Sequence, residues 1–160
     1  QDIAIKNCEI VNEEFHSRFS AKTRYYKYLI LKSDFPMPLY KNRVWELYKD
    51  LDIEKMQESA NLLLGKHDFS SFRDSACQAN SPVKTLDGIN IYKKDELIIV
   101  EIWAKSFLHH MVRNIVGTLK NVGVGKITVD DFKKIFEAKD RTKAGEMAPA
   151  SGLYFWKILY

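Results

Sequence analysis

Cysteine is scarce in this sequence, with only Cys8 and Cys77 in 160 residues. The two lie far apart and form no paired metal-ligand or redox motif. That excludes a disulfide framework, a zinc finger and a thioredoxin-like redox motif, and fits a reducing, cytoplasmic setting. Long apolar runs are missing too. Nothing approaches the roughly 18 residues that a membrane helix needs, so no membrane partner is expected. The seven glycines do not gather into a phosphate-cradling loop: Gly123-Val124-Gly125 lacks the third glycine and the Lys-Ser/Thr of known fingerprints. No serine sits in a nucleophile elbow, which removes the usual hydrolase reading. His16 and His67 have no partners at ligand spacing. His109 and His110, as neighbours on a helix, would diverge by about 100° and could not share a metal. Neither metal nor cofactor is expected.

The most informative absence is that of negative charge from two stretches. Between Glu14 and Asp34 there is no acidic residue, while Arg18, Lys22, Arg24, Lys27 and Lys32 all occur. Between Glu101 and Asp130 there is again none, while Lys105, Arg113, Lys120 and Lys126 accompany the two adjacent histidines. Asp50 to Glu58, by contrast, is acid-rich. A net charge of +4 says little alone, but this segregation produces a positive field over part of the surface, as a polyanion binder requires.

What is present describes one globular domain, since 46% hydrophobic and 29% charged content over 160 residues suffices for a single core. Ile3 to Val11 alternates and reads as a strand or an extended linker. Arg24 to Leu31 is a strand with Tyr26, Tyr28 and Ile30 on one face. Two prolines, Pro36 and Pro38, break it. Arg43 to Tyr48 is a short strand or the approach to a helix that Asp52 caps and Gly65 closes. Lys66 to Val83 has no period and reads as an irregular connection. Thr85 to Lys93 and Leu97 to Trp103 form a hairpin. A second helix runs from an N-cap at Ser106 to Val122, and a third opens on a Thr128–Asp131 capping box. Asp140 to Ser151 is a second irregular loop, and Leu153 to Leu159 is a closing strand. The order predicts an α+β domain, a largely antiparallel sheet with helices packed on one face.

The helix from Ser106 carries the sharpest signal. Phe107, Leu108, Met111, Val112, Ile115, Val116, Leu119 and Val122 make one apolar face. The other face holds His109, His110, Arg113, Asn114, Gly117, Lys120 and Asn121, with no acid among them. A mid-helix glycine lowers helix stability by roughly 1 kcal/mol relative to alanine, which suggests that something packs closely against Gly117. Arg18, Phe19, Arg24, Tyr25, Tyr26, Lys27 and Tyr28 meanwhile combine rings with cations, a composition suited to stacking bases and holding phosphates. The plain alternatives are that Tyr26 and Tyr28 are half-buried sheet residues and that Arg113 pairs with a carboxylate of the same fold.

Four motifs extend these observations: FHSRFSAKTRYYKYLI from Phe15, LLGKHDFSSFR from Leu63, FLHHMVRNIVGTLKNVG from Phe107 and APASGLYF from Ala148. Together, in this order, they resemble the tRNA pseudouridine synthase A family, over the C-terminal half of that enzyme. The resemblance implies that residues 1–160 are the C-terminal domain, with residues 1–14 an extended segment belonging with an N-terminal half. It implies a homodimer that isomerises uridines on the 3′ side of the tRNA anticodon stem-loop, without cofactor, in a basic cleft between two α+β halves with continuous sheets. Tyr26 matches the tyrosine that stacks on the target uracil, Arg113 the arginine that pairs with the essential aspartate, and Leu153 a leucine that walls the pocket. His110 and Asn114 flank Arg113. Arg18, Arg24, Lys27, Lys105 and Lys120 are phosphate-contact candidates from charge pattern alone. The family's Arg-Thr-Asp-x-Gly motif is absent from this sequence; Asp140-Arg141-Thr142 has another order and lacks the glycine. The expected occupant of the acid-free helix face is therefore an aspartate from the other half, with RNA beyond it. A fragment so constituted should be inactive alone. The alternative is an RNA-binding module without catalysis.

Overall fold

A computed structural model describes residues 3–160. Six strands and three helices follow in the order β1 (Thr23–Lys32), β2 (Trp45–Leu47), α1 (Ile53–Asn61), β3 (Gly65–Asp68), β4 (Val83–Lys94), β5 (Leu97–Ala104), α2 (Met111–Gly123), α3 (Val129–Glu137) and β6 (Leu153–Leu159). The sheet runs β2-β1-β5-β4-β3, with β6 also paired to β1. Every pairing is antiparallel except β1 with β2. Strand β1 is the spine: β5 lines one edge, while β6 (opposite Thr23 to Tyr28) and β2 (opposite Ile30 to Lys32) share the other.

Period-two alternation decides which side chains reach the core. Tyr26, Tyr28 and Ile30 sit opposite Ile102, Val100 and Ile98, and on this face Tyr28, Ile30, Val100 and Ile102 are fully buried beneath the helices. The other face carries Tyr25 stacked on Trp103 at 5.9 Å and the cross-strand ion pair Lys27–Glu101 at 2.7 Å. Helix α1 begins as the sequence predicts, with the Asp52 carboxylate accepting from the Lys55 N–H at 3.0 Å. Helix α3 likewise opens on a reciprocal Thr128–Asp131 capping box.

Two expectations need correction, and the strand-or-linker reading of Ile3 to Val11 is narrowed to the linker. Gly65 does not close α1, which ends at Asn61; at φ +93° it opens β3 instead. That strand pairs with β4 and was hidden because Gly-Lys-His-Asp has no apolar alternation. Helix α2 begins at Met111, not after Ser106. The preceding residues form a turn closed by the Met111 N–H on the Leu108 carbonyl at 3.1 Å, and His110 adopts a left-handed φ of +57°. Phe107 and Leu108 mimic helical spacing because both face the interior from that turn. Residues 3–12 form no strand and are exposed; Gln1 and Asp2 lie outside the described residues.

Candidate active site

Where the core ladder of β1 reaches the domain's rim, burial fades from Tyr28 to the half-buried Tyr26, and a cavity of about 620 Å³ opens. Its walls come from five places. Strand β1 contributes Arg24 and Tyr26, the loop before it Arg18 and Phe19, the β5–α2 connection Lys105 to His110, and α2 Arg113; Leu153 closes it from the start of β6. Four of the lining residues are arginine or lysine (Arg18, Arg24, Lys105, Arg113) and none is acidic. The two acid-poor stretches of the sequence thus converge on one cavity.

Each functional side chain is positioned by identifiable partners. The Tyr26 ring meets Phe107 edge-on and Phe155 at a tilt, both at 5.2 Å between centroids. Burial pushes its phenol pKa up, against the opposing charge of Arg24, so the hydroxyl stays protonated at neutral pH. The Arg24 guanidinium donates to the carbonyls of Lys105 and Arg18, tying the two loops of the cavity to β1. The Arg113 Nε donates to the Ala148 carbonyl at 2.6 Å. Among the described residues Arg113 has no carboxylate within salt-bridge distance. A carbonyl orients a guanidinium without neutralising it.

That carbonyl belongs to a segment, Ala144 to Gly152, strapped across α2. The Gly145 N–H donates to Thr118 Oγ1 at 3.0 Å, the Ala148 N–H to the Arg113 carbonyl at 3.2 Å, and Lys120 pairs with Glu146. At its far end the buried Tyr28 hydroxyl donates to the Pro149 carbonyl at 2.7 Å. This strap is what packs against Gly117. A Cβ there would overlap the Glu146 carbonyl oxygen and stand 3.0 Å from its carbon. The expectation that the Gly117 face is open to an incoming aspartate and RNA is therefore wrong over most of its length. Only the Arg113 end reaches the cavity.

The structure brings Tyr26, Arg113, Leu153, Arg18, Arg24, Lys105 and His110 together around one space. Three other candidates lie elsewhere. Asn114 is 1% exposed, donating to the Phe72 carbonyl and accepting from Arg141, so it cannot touch RNA. Lys27 points to the opposite sheet face, paired with Glu101 and 3.9 Å above the Trp156 ring. Lys120 is held by Glu146. Sequence reasoning missed Phe155 and Asp74. Phe155 follows by alternation from Leu153 in β6, but nothing in the sequence marks Asp74 as a partner of His110.

Asp74 also revises the histidine geometry. Because both histidines precede the first turn of α2, they do not diverge. Their rings stack at 3.7 Å with planes 27° apart, and His110 Nδ1 lies 2.8 Å from Asp74. The bond to His110, with one from the Ala76 N–H, holds the Asp74 carboxyl below the usual range. Asp74, His109 and His110 each bring a ligand atom within 4.8 Å of the others. Near-parallel rings, however, run their in-plane lone pairs side by side rather than toward one ion. The arrangement serves a shared carboxylate better than a metal.

A mixed sheet under helices thus carries an acid-free basic cavity lined by a half-buried tyrosine, a lining whose charge and ring suit an anionic, ring-bearing ligand. A family model described as tRNA pseudouridine synthase matches residues 59–160, and the chain belongs to that family. It is 50% identical over 158 residues to a tRNA pseudouridine synthase A of Paramagnetospirillum magneticum, covering 99% of this chain and 62% of the relative. It is 48% identical over 158 residues to one of Rhodospirillum centenum, covering 99% and 64%. The chain thus spans less than two thirds of either relative. No helix among the described residues is long and apolar enough to cross a membrane.

Proposed function

We propose that this chain forms one wall of the catalytic cleft of a tRNA pseudouridine synthase, the C-terminal domain of the two-half enzyme that its motifs resemble. The observation that carries the proposal is Arg113: a fixed, half-buried guanidinium lining the same cavity as Tyr26, with no carboxylate partner among the described residues. It receives the essential aspartate, which lies outside these 160 residues, and holds it ionised, as an opposite charge within about 4–6 Å does. Tyr26 stacks on the uracil of an extruded nucleotide, with Leu153 walling the pocket. Arg18, Arg24, Lys105 and His110 face the phosphates around it. The reaction is an isomerisation: the uracil N1–C1′ bond breaks, a C5–C1′ bond forms, and the C5 proton leaves as N1 gains one. The substrate is a uridine of the anticodon stem-loop. The enzyme works as a cytoplasmic homodimer, and residues 3–14 are part of the extended segment that belongs with the complementary half.

The exposed edge of β6 supports that complement. Phe155 and Trp156 are 55% and 57% exposed on a strand whose outer edge is unpaired among the described residues, a template for continuing the sheet. The test is tritium release from tRNA labelled at uridine C5. The chain alone should release none. Co-expressed with the part of its Paramagnetospirillum relative that it does not cover, it should turn over, and Arg113→Ala should abolish turnover while tRNA affinity changes little. Release by the chain alone would overturn the external aspartate. Equal loss of turnover and affinity would make Arg113 a phosphate contact. tRNA binding without turnover in the co-expressed protein would favour the non-catalytic RNA-binding module.

A further inference from the structure

A second cavity lies beside the first. It is an open groove of about 690 Å³ between the Phe69–Pro82 connection and the loop after α3, with Arg73 and Arg141 among its lining residues. The two grooves are separated by one side-chain pair: His110 lines the first, and Asp74, which it bonds at 2.8 Å, lines the second.

Both arginines are fixed yet not neutralised. Arg73 donates from Nη2 to the Cys77 and Ala79 carbonyls at 2.9 and 2.7 Å. Arg141 donates to the Gly145 carbonyl and to Asn114 Oδ1, each at 3.0 Å. Neither has a carboxylate within salt-bridge distance among the described residues; of the groove's own carboxylates, Glu146 is paired with Lys120 and Asp74 is turned away onto the His110 ring by a hydrogen bond. A guanidinium has five N–H donors, so each retains donors in a fixed fork, the arrangement that binds phosphate oxygens. The exposed hydroxyl of Ser75 lines the same groove, while that of Thr142 is spent on the Asp140 carboxylate at 2.7 Å. It is wide open rather than enclosing, which suits an extended polyanion more than a small metabolite.

We propose that this groove is a second phosphate-binding subsite, in which Arg73 and Arg141 hold the sugar–phosphate backbone of the RNA strand whose target nucleotide occupies the Tyr26–Arg113 pocket. The strand leaves the pocket over the His110–Asp74 pair and enters the groove within a nucleotide or two. This assignment rests on the reading of the first pocket as the nucleotide site.

The test is a titration of the whole chain, with 15N-labelled arginine and histidine side chains, against a short single-stranded oligouridylate and separately against inorganic phosphate. The Arg73 and Arg141 Nε resonances should move together with those of Arg113 and His110. Ser75→Glu, a substitution at an exposed position without a side-chain hydrogen bond, should weaken oligonucleotide binding roughly tenfold at low salt. It should also lower the slope of log affinity against log salt by about 0.7 for each phosphate that the groove no longer neutralises. If the pocket resonances move while Arg73 and Arg141 stay still and Ser75→Glu binds normally, the groove assignment is wrong and the pocket reading survives. If none moves, both fall. If inorganic phosphate moves the groove resonances at the same concentrations as the oligonucleotide, the groove is a simple anion site and the strand path is refuted.

Discussion

Replacing Gly117 with alanine separates two forces that point in opposite directions. On helix propensity alone the substitution stabilises α2 by about 1 kcal/mol. Against it stands the strap, because the new Cβ would overlap the Glu146 carbonyl oxygen and lie 3.1 Å from the Ala148 nitrogen. These are backbone atoms, and relieving the overlap requires a displacement on the order of 1 Å or more, since non-bonded carbon atoms settle near 3.5–4.0 Å apart. If the strap stays in place and α2 shifts instead, overpacking costs about 1–3 kcal/mol. If the strap lifts, the bonds Gly145–Thr118, Ala148–Arg113 and Arg113–Ala148 break, at about 1 kcal/mol each. The first route offsets propensity or outweighs it by up to about 2 kcal/mol, and the second outweighs it by about 2 kcal/mol.

For a domain of this size, a net cost of about 2 kcal/mol lowers the melting temperature by roughly 4–8 °C, measurable by circular dichroism. Gly123→Ala is the comparison within the same helix. Its Cβ would meet the Met56 sulfur at 2.6 Å, the far part of a flexible side chain that can turn aside, so its cost is smaller. Lifting the strap also withdraws the carbonyl that aims Arg113, so the Arg113 Nε resonance should broaden or shift in Gly117→Ala and not in Gly123→Ala. A Gly117→Ala variant that melts higher than the parent would refute the reasoning, because propensity would then be the only force acting.

Two further outcomes concern titration. Burial raises the phenol pKa of Tyr26 and, more strongly, of Tyr28, with Arg24 and Arg113 respectively opposing the rise. Burial and the Glu101 carboxylate raise Tyr92 as well, and of these three phenols Tyr28, with the largest rise, should be the last to show phenolate absorbance in alkali. Because their folded pKa values exceed the unfolded ones, the stability they contribute is complete below about pH 10 and is lost as pH climbs through the folded values; a Tyr28 phenolate that forms at its ordinary, unfolded pKa would contradict this. Asp74 behaves oppositely, since the His110 bond lowers its pKa. Its contribution is present above the unfolded carboxyl pKa and disappears as pH falls through the folded one. Asp74→Asn should therefore melt below the parent at neutral pH and converge with it in acid, and a gap that persists at low pH would show that the loss is steric.

Legibility in the sequence followed how local the deciding interaction is. The β4–β5 hairpin, the Thr128–Asp131 box and the Asp52 cap rest on neighbours a few residues apart, and all three form. Strand β1 was readable because both faces alternate strongly. Strand β3 was not, since Gly-Lys-His-Asp is held by pairing to β4 and not by any pattern of its own. The start of α2 was misplaced because Phe107 and Leu108 satisfy the helical period while the His110–Asp74 bond, spanning 36 residues, accompanies a different path. At the candidate site, charge pattern found the cavity's arginines but could not tell Arg113 from Lys27 or Lys120. All three are cations on acid-poor stretches; only the fold shows that two are already paired with Glu101 and Glu146.

The strap explains why the acid-free face of α2 needed a glycine and why Arg113 remains uncompensated. Along that face the chain meets its own backbone. It presents carbonyls to Arg113 and, from Gly145, to Arg141, and an amide to Thr118. Carbonyl acceptors fix the planes of guanidinium groups but leave their full positive charge. Carboxylates in the same places would have fixed them equally well and neutralised them. Lys120 meets the strap's one carboxylate, Glu146, but at Arg113 the strap offers only a carbonyl, which keeps that end of the α2 face rigid and electrostatically open at once, and close approach at Gly117 is the condition for it. An anion that reaches Arg113 finds the cation already oriented, with little side-chain entropy left to lose. Any substitution that holds the strap away from Gly117 should therefore weaken binding at Arg113 even though it touches neither the arginine nor the anion.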